Sequence, residues 1–150
     1  MMANNQSVKE TPEELRHTDE QHNQETTHKE EKDTQKTVKL IVKRQDNQEA
    51  KSYEETFEIP YKENLNVIAC LMEIRRNPVN SKGEKTTPVV WDMNCLEEVC
   101  GACSMVINGR ARQACSAIVD QLEQPIRLEP MSTFPVIRDL QVDRTRSEER

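Results

Sequence analysis

Four of the five cysteines in this 150-residue chain, Cys95, Cys100, Cys103 and Cys115, crowd into one stretch, separated by four, two and eleven residues. Thiolates are soft ligands, suited to zinc or to iron–sulfur clusters. A reducing compartment rarely keeps structural disulfides, so cysteines gathered this way point to metal or redox chemistry. A zinc ribbon presents two C-x2-C knuckles, each gripping one ion from its own side. Only one such pair, Cys100 and Cys103, occurs in this stretch, and it shares a short loop with Cys95.

A loop that wraps a flat iron–sulfur rhomb and reaches both irons wants three closely spaced cysteines and a fourth from elsewhere. The C-x4-C-x2-C…C order is the spacing of plant-type 2Fe–2S loops. Gly101 and Ala102 fit it, because small residues let the backbone approach. Glycine also adopts positive φ, which turns main-chain N–H groups toward sulfur. The four cysteines are therefore the candidate ligands of a 2Fe–2S cluster. Such a cluster moves single electrons and does nothing to a substrate itself. Cys70 has no cysteine neighbour at ligand spacing and reads as a buried or half-buried thiol. Glu97 and Glu98 read as solvated, and Trp91 as core packing. No Gly-rich phosphate loop is present, and no Ser or Cys nucleophile has a candidate base.

The elements that must position this loop are legible on either side. Thr37–Arg44 alternates, with Val38, Leu40 and Val42 on one face, and predicts a strand. Tyr53–Ile59 predicts a second, with Phe57 and Ile59 inward, and the polar run 45–51 between them a hairpin loop. In LNVIACLMEIRR, Leu65, Ile68, Ala69 and Met72 recur at helical spacing, with Asn64 or Asn66 as N-cap and Pro78 beyond the end. Residues 80–88 read as a polar loop and Val89–Trp91 as a short strand. SMVINGRARQAC has the form strand, Asn108-Gly109, strand, a strong hairpin signal that also accounts for the long gap before Cys115. Ile126–Leu128 supplies a last strand. The order predicts an α+β fold, a mixed β-grasp sheet of the 2Fe–2S ferredoxin-like kind with one helix laid across it.

Composition sets the limits. Residues 1–35 hold nine acids against four bases, net −5 of the chain's −6, with no aromatic residue. Such a segment cannot bury enough apolar surface to offset its ordering entropy, and reads as a disordered acidic tail. His17, His22 and His28 all lie in it and read as solvated. The remainder is nearly neutral, which excludes a nucleic-acid partner. The tail has no apolar signal region, and no run of about 18 apolar residues spans a membrane. A cytoplasmic location is expected. The domain reading is a tail over 1–35, a cluster domain over 36–144 and a short end over 145–150.

From about Thr37 to Arg144 the chain resembles the N-terminal domain of succinate dehydrogenase/fumarate reductase iron–sulfur subunits. Three stretches carry the resemblance: LNVIACLMEIRRNP (65–78), WDMNCLEEVCGACSMVINGRARQAC (91–115) and LEPMSTFPVIRDLQVDR (128–144). The third is the most discriminating, since nothing in it is needed to hold a cluster. The resemblance implies that Cys95, Cys100, Cys103 and Cys115 are the four ligands. It implies electrons received from the FAD of a flavoprotein subunit that oxidises succinate, and passed on through 4Fe–4S and 3Fe–4S clusters to quinone at a membrane anchor. It also implies a place on the cytoplasmic face of the membrane, in respiratory complex II and the tricarboxylic acid cycle. The chain departs from many members at Met93-Asn94 and Leu96, where they carry Arg-Ser and Arg. No cysteine follows Cys115, so the two further clusters would belong to a second domain absent from this chain, either a truncated product or a fragment. No substrate turnover is then expected from this chain alone.

Two other readings compete. The small subunit of molybdenum hydroxylases has a similar cysteine spacing, but its cysteines follow the first strand sooner and FPVIRDL has no counterpart there. A zinc-stapled interaction module would use the same thiols without colour.

Overall fold

The structure, a computed structural model, describes residues 36–145. Its first two strands, β1 (Thr37–Arg44) and β2 (Tyr53–Pro60), pair antiparallel along their whole length, from Thr37 opposite Pro60 to Arg44 opposite Tyr53. The hairpin follows from the alternation in both segments, which buries Val38, Leu40, Val42, Phe57 and Ile59 on one face. Then come α1 (Val67–Arg76), the hairpin β3 (Ser104–Ile107) and β4 (Arg110–Gln113), and β5 (Ile126–Glu129). The sheet runs β2-β1-β5-β3-β4, with β5 parallel to β1 and antiparallel to β3. A strand from late in the chain thus joins the two hairpins. This mixed sheet with a single helix is a 2Fe–2S ferredoxin-like fold, as the sequence predicts.

Asn108 and Gly109 both take positive φ, 49° and 77°, as a two-residue hairpin turn requires. Asn108 also reaches across to β5: its side chain accepts from Arg127 N at 2.7 Å and donates to Glu123 O at 2.8 Å.

Helix α1 begins where Asn66 caps it, its side chain accepting from Ala69 N at 2.8 Å. Arg75 and Arg76 in the last turn complement the helix dipole. The buried face differs from the expected one. Val67, Ile68, Cys70, Leu71 and Ile74 turn into the core, while Met72 is exposed and lines a shallow groove with Leu65, Ala69, Ile59 and Pro60. The segment is apolar on almost every side, so two faces satisfied the helical period. Packing against the sheet chose between them.

Val89–Trp91 is not a strand. Val89 is buried, and Val90 is bonded instead to the C-terminal segment, its N–H to Asp139 Oδ2 at 3.0 Å and its carbonyl to Leu140 N at 3.1 Å. That segment holds a hairpin the sequence did not announce, β6 (Val136–Arg138) and β7 (Gln141–Val142), turning at Asp139 with φ 49°. Asp139 anchors it. The carboxylate is buried and accepts from Arg44 Nε at 2.8 Å, while Arg44 also bonds Glu55 at 2.6 Å and Thr87 Oγ1 at 2.9 Å. Burial works against the Arg44 charge, but the bond to Asp139 and the surrounding acids more than offset it and raise its pKa. Arg44 continues the inward alternation of β1, so the strand ends on an ion where an aliphatic residue would be expected.

The tail over 1–35, its three histidines and the last five residues lie outside the described residues. Among the described residues no helix is long and apolar enough to cross a membrane.

Candidate functional site

The three clustered cysteines sit on the loop that enters β3, and the fourth lies just beyond β4. Pairing of Ser104 with Gln113 closes the open end of that hairpin, which brings Cys103 and Cys115 side by side. Ala114 N donates to Cys103 O at 3.2 Å, and Asn66 Nδ2 to Cys115 O at 3.0 Å. The residue that caps α1 therefore also holds the backbone at the fourth cysteine.

The loop winds back on itself through three residues with positive φ: Leu96 at 62°, Glu98 at 58° and Gly101 at 71°. Such alternation turns successive N–H groups inward, forming an anion-binding concavity. Cys95 Sγ accepts from Glu97 N at 3.4 Å and Cys100 N at 3.3 Å; Cys100 Sγ accepts from Ala102 N at 3.4 Å and Cys95 N at 3.5 Å. The glycine conformation matches the expectation for Gly101. Leu96 and Glu98 in the left-handed region do not follow from residue type, and each costs on the order of 1–3 kcal/mol that the surrounding loop must offset.

Sulfur electrostatics follow this geometry. N–H groups of Glu97, then Cys100 and Val99, together with the Cys100 thiol, bring Cys95 down to about 7. Cys115 is pushed up, first by burial and then by its bond with the Cys103 thiol. The thiols thus lie in two pairs, Cys95 with Cys100 through reciprocal N–H to Sγ bonds, and Cys103 with Cys115 across the closed end of the hairpin. Among the described residues no three Cys, His, Asp or Glu side chains gather as one metal ion would need. Two pairs of sulfurs under inward N–H groups fit a 2Fe–2S rhomb, which takes two thiolates per iron.

Around this core, Glu98 is held where free solvation was expected. Its carboxylate accepts from Ser116 Oγ at 2.8 Å and its carbonyl from Gln113 Nε2 at 3.3 Å, which ties the loop to the far side of the hairpin. On the other flank Arg144 donates to Gly101 O at 2.8 Å and Ser104 O at 3.0 Å. Neither tether was read from the sequence, since a polar residue 15 to 43 positions away gives no local signal. Leu96 and Val99 leave their side chains exposed at the loop tip, Val99 at 81%. Cys70 is fully buried on the core-facing side of α1. Trp91 packs against the same core, with its Nε1 unpartnered.

Comparison with known proteins agrees with this chemistry. The succinate dehydrogenase iron–sulfur subunit of Bacillus subtilis (strain 168) is 74% identical over 112 residues, covering 75% of this chain and 44% of that protein. The fumarate reductase iron–sulfur subunit of Haemophilus influenzae is 30% identical over 88 residues, 59% of this chain and 32% of that protein. Among solved structures, a chain of the Mycobacterium smegmatis Sdh1 complex in the apo form aligns with a TM-score of 0.58 at 28% identity, over 73% of this chain and 43% of that one. The chain thus spans less than half the length of these relatives. The model of the 2Fe–2S iron–sulfur cluster binding domain matches residues 39–149, taking in all four paired cysteines and the segment through Arg144. The chain therefore belongs to the 2Fe–2S iron–sulfur cluster binding domain family, and a 2Fe–2S cluster is its cofactor.

Proposed function

We propose that Cys95, Cys100, Cys103 and Cys115 hold the 2Fe–2S cluster, and that the chain is the electron-relay part of a succinate dehydrogenase or fumarate reductase. The observation that carries the ligand assignment is the sorting of the four thiols into two pairs beneath inward N–H groups. When bound, the cluster accepts and releases one electron at a time. The residues of this chain do the rest. Cys95 and Cys100 would grip one iron and Cys103 and Cys115 the other. N–H groups of Glu97, Cys100 and Ala102 would stabilise the charge on the sulfurs. Cys103 and Cys115 are themselves buried in the hydrophobic core, so one side of the site is dry.

The partner of this reading is an FAD-containing flavoprotein subunit that oxidises succinate. Each two-electron oxidation would leave reduced flavin, which returns to its oxidised form through two successive single-electron transfers to the cluster. The exposed Leu96 and Val99 beside the cysteines offer an apolar contact close to the redox centre, so an electron would enter over a short distance. High identity to the Bacillus subtilis subunit supports this partner, a membrane-anchor subunit beyond it, and a place on the cytoplasmic face of the membrane. Mixing the cluster-loaded chain with such a flavoprotein subunit and succinate tests the assignment. The reduced-cluster paramagnetic signal should appear with succinate and stay absent with malonate-blocked flavoprotein. A chain that binds one zinc and no sulfide would overturn the ligand reading. A loaded cluster that succinate and flavoprotein leave oxidised would overturn the partner.

A further inference from the structure

The cluster loop is bracketed by a cation that comes from the other end of the domain. Arg144 lies two residues past β7, and its two terminal nitrogens reach the carbonyls of Gly101 and Ser104. Those residues flank Cys103, two before and one after it. The arm that carries Arg144 is fixed rather than loose. Asp139, buried at the turn between β6 and β7, bonds Arg44, Gln45 N and Val90 N, and Asp143 N donates to Pro135 O at 2.8 Å. A planar guanidinium presents its donors in a rigid fork that spans two separated acceptors, whereas the three donors of an ammonium radiate from one atom on a flexible stem.

We propose that Arg144 is a positioning residue for the cluster: its fork holds the Gly101 and Ser104 carbonyls on either side of Cys103, and its charge raises the cluster's reduction potential. The inference rests on the four-cysteine reading above. Reduction adds one negative charge to a site already anionic and adjoined by Glu97 and Glu98. A fixed cation against the same loop stabilises the reduced form relative to the oxidised one. The carbonyls matter separately. Gly101 takes φ 71°, and Ser104 N donates to Gly101 O at 3.1 Å to close the turn. Arg144 adds a second clasp from outside, bonding both carbonyls of that turn.

The full chain with its cluster, in the wild-type form and as R144K and R144Q, separates charge from fork. Potential is read by redox titration of the reduced-cluster paramagnetic signal. Cluster retention is read as the first-order bleaching rate under an iron chelator. R144Q should lower the potential and bleach at least about tenfold faster, the scale of losing a charged hydrogen bond. R144K should keep the wild-type potential and still bleach faster, because the charge remains and the fork is gone. An R144Q potential equal to wild type overturns the inference, as does an R144K potential as low as that of R144Q. If R144Q takes up no cluster, R144K decides alone: faster bleaching at wild-type potential supports the proposal, and an unchanged bleaching rate overturns it. Failure here leaves a wild-type chain with two irons and two sulfides, whereas failure of the ligand reading leaves none.

Discussion

Cys95 and Cys70 mark the two extremes a thiol can reach in one small domain. At Cys95 the inward N–H groups of Glu97, Cys100 and Val99 favour the thiolate and bring it down to about 7. Burial in apolar surroundings pushes Cys70 up to about 12, leaving it inert as nucleophile and ligand. Replacing Cys100 by alanine should abolish the cluster, since the missing thiolate leaves one iron under-coordinated; iron and sulfide analysis checks it. Cys70→Ala should keep both irons and cost ~1 kcal/mol in denaturant unfolding, as for a small core residue. Loss of the cluster in that variant would refute the ligand set. The pH dependence has a definite sign. The folded Cys70 is raised from 9.0 to about 12, so below pH 9 the thiol is neutral in both states and its burial is unopposed. As pH rises from 9 toward 12 the unfolded chain ionises there and the folded one does not, so stability falls. Comparing wild type with Cys70→Ala by thermal melts between pH 8 and 11 should show the steeper decline in the wild type.

At the scale of elements, the join between β1 and the β6–β7 hairpin governs whether the cluster loop has a fixed frame. Arg44 and Asp139 meet at 2.8 Å with both side chains essentially excluded from solvent. Removing Asp139 leaves Arg44 with Glu55 as its one remaining acid and strands the N–H groups of Gln45 and Val90. Asp139→Ala should therefore destabilise by about 3–5 kcal/mol, far more than any of the exposed pairs on the sheet. Denaturant midpoints measure it. Lys39→Ala, which breaks the exposed contact with Glu58 at 3.9 Å, should change stability by less than about 1 kcal/mol and serves as the control. Because the same hairpin carries Arg144, Asp139→Ala should also hasten cluster bleaching, and an unchanged bleaching rate would uncouple the arm from the loop.

For the whole molecule, the division between an acidic segment and a nearly neutral domain matters more than total charge. Residues 1–35 contain nine acids and no aromatic residue, a composition with nothing to contribute to a core. Deleting them should leave iron and sulfide content unchanged and move the melting temperature by less than about 4 °C, the shift produced by ~1 kcal/mol in a domain of this size. A larger drop would mean that the segment packs on the domain.

The sequence by itself determined the chemistry and most of the sheet. Cysteine spacing names an iron–sulfur loop because ligand count and reach are local properties. Alternation at Val38, Leu40 and Val42, and the Asn108-Gly109 turn, likewise depend only on near neighbours. Tertiary structure decided the rest, wherever a choice rested on residues far apart in the chain. It selected the Val67, Cys70, Leu71 and Ile74 face of α1 over the Ala69 and Met72 face, because only packing against the sheet distinguishes two apolar sides of one helix. It placed Leu96 and Glu98 in the left-handed region, because the loop must close its N–H groups around sulfur. It buried Arg44 against an acid 95 residues away and set Arg144 on the cluster loop from 43 residues away, pairings no local pattern encodes because their energy exists only once the chain has folded.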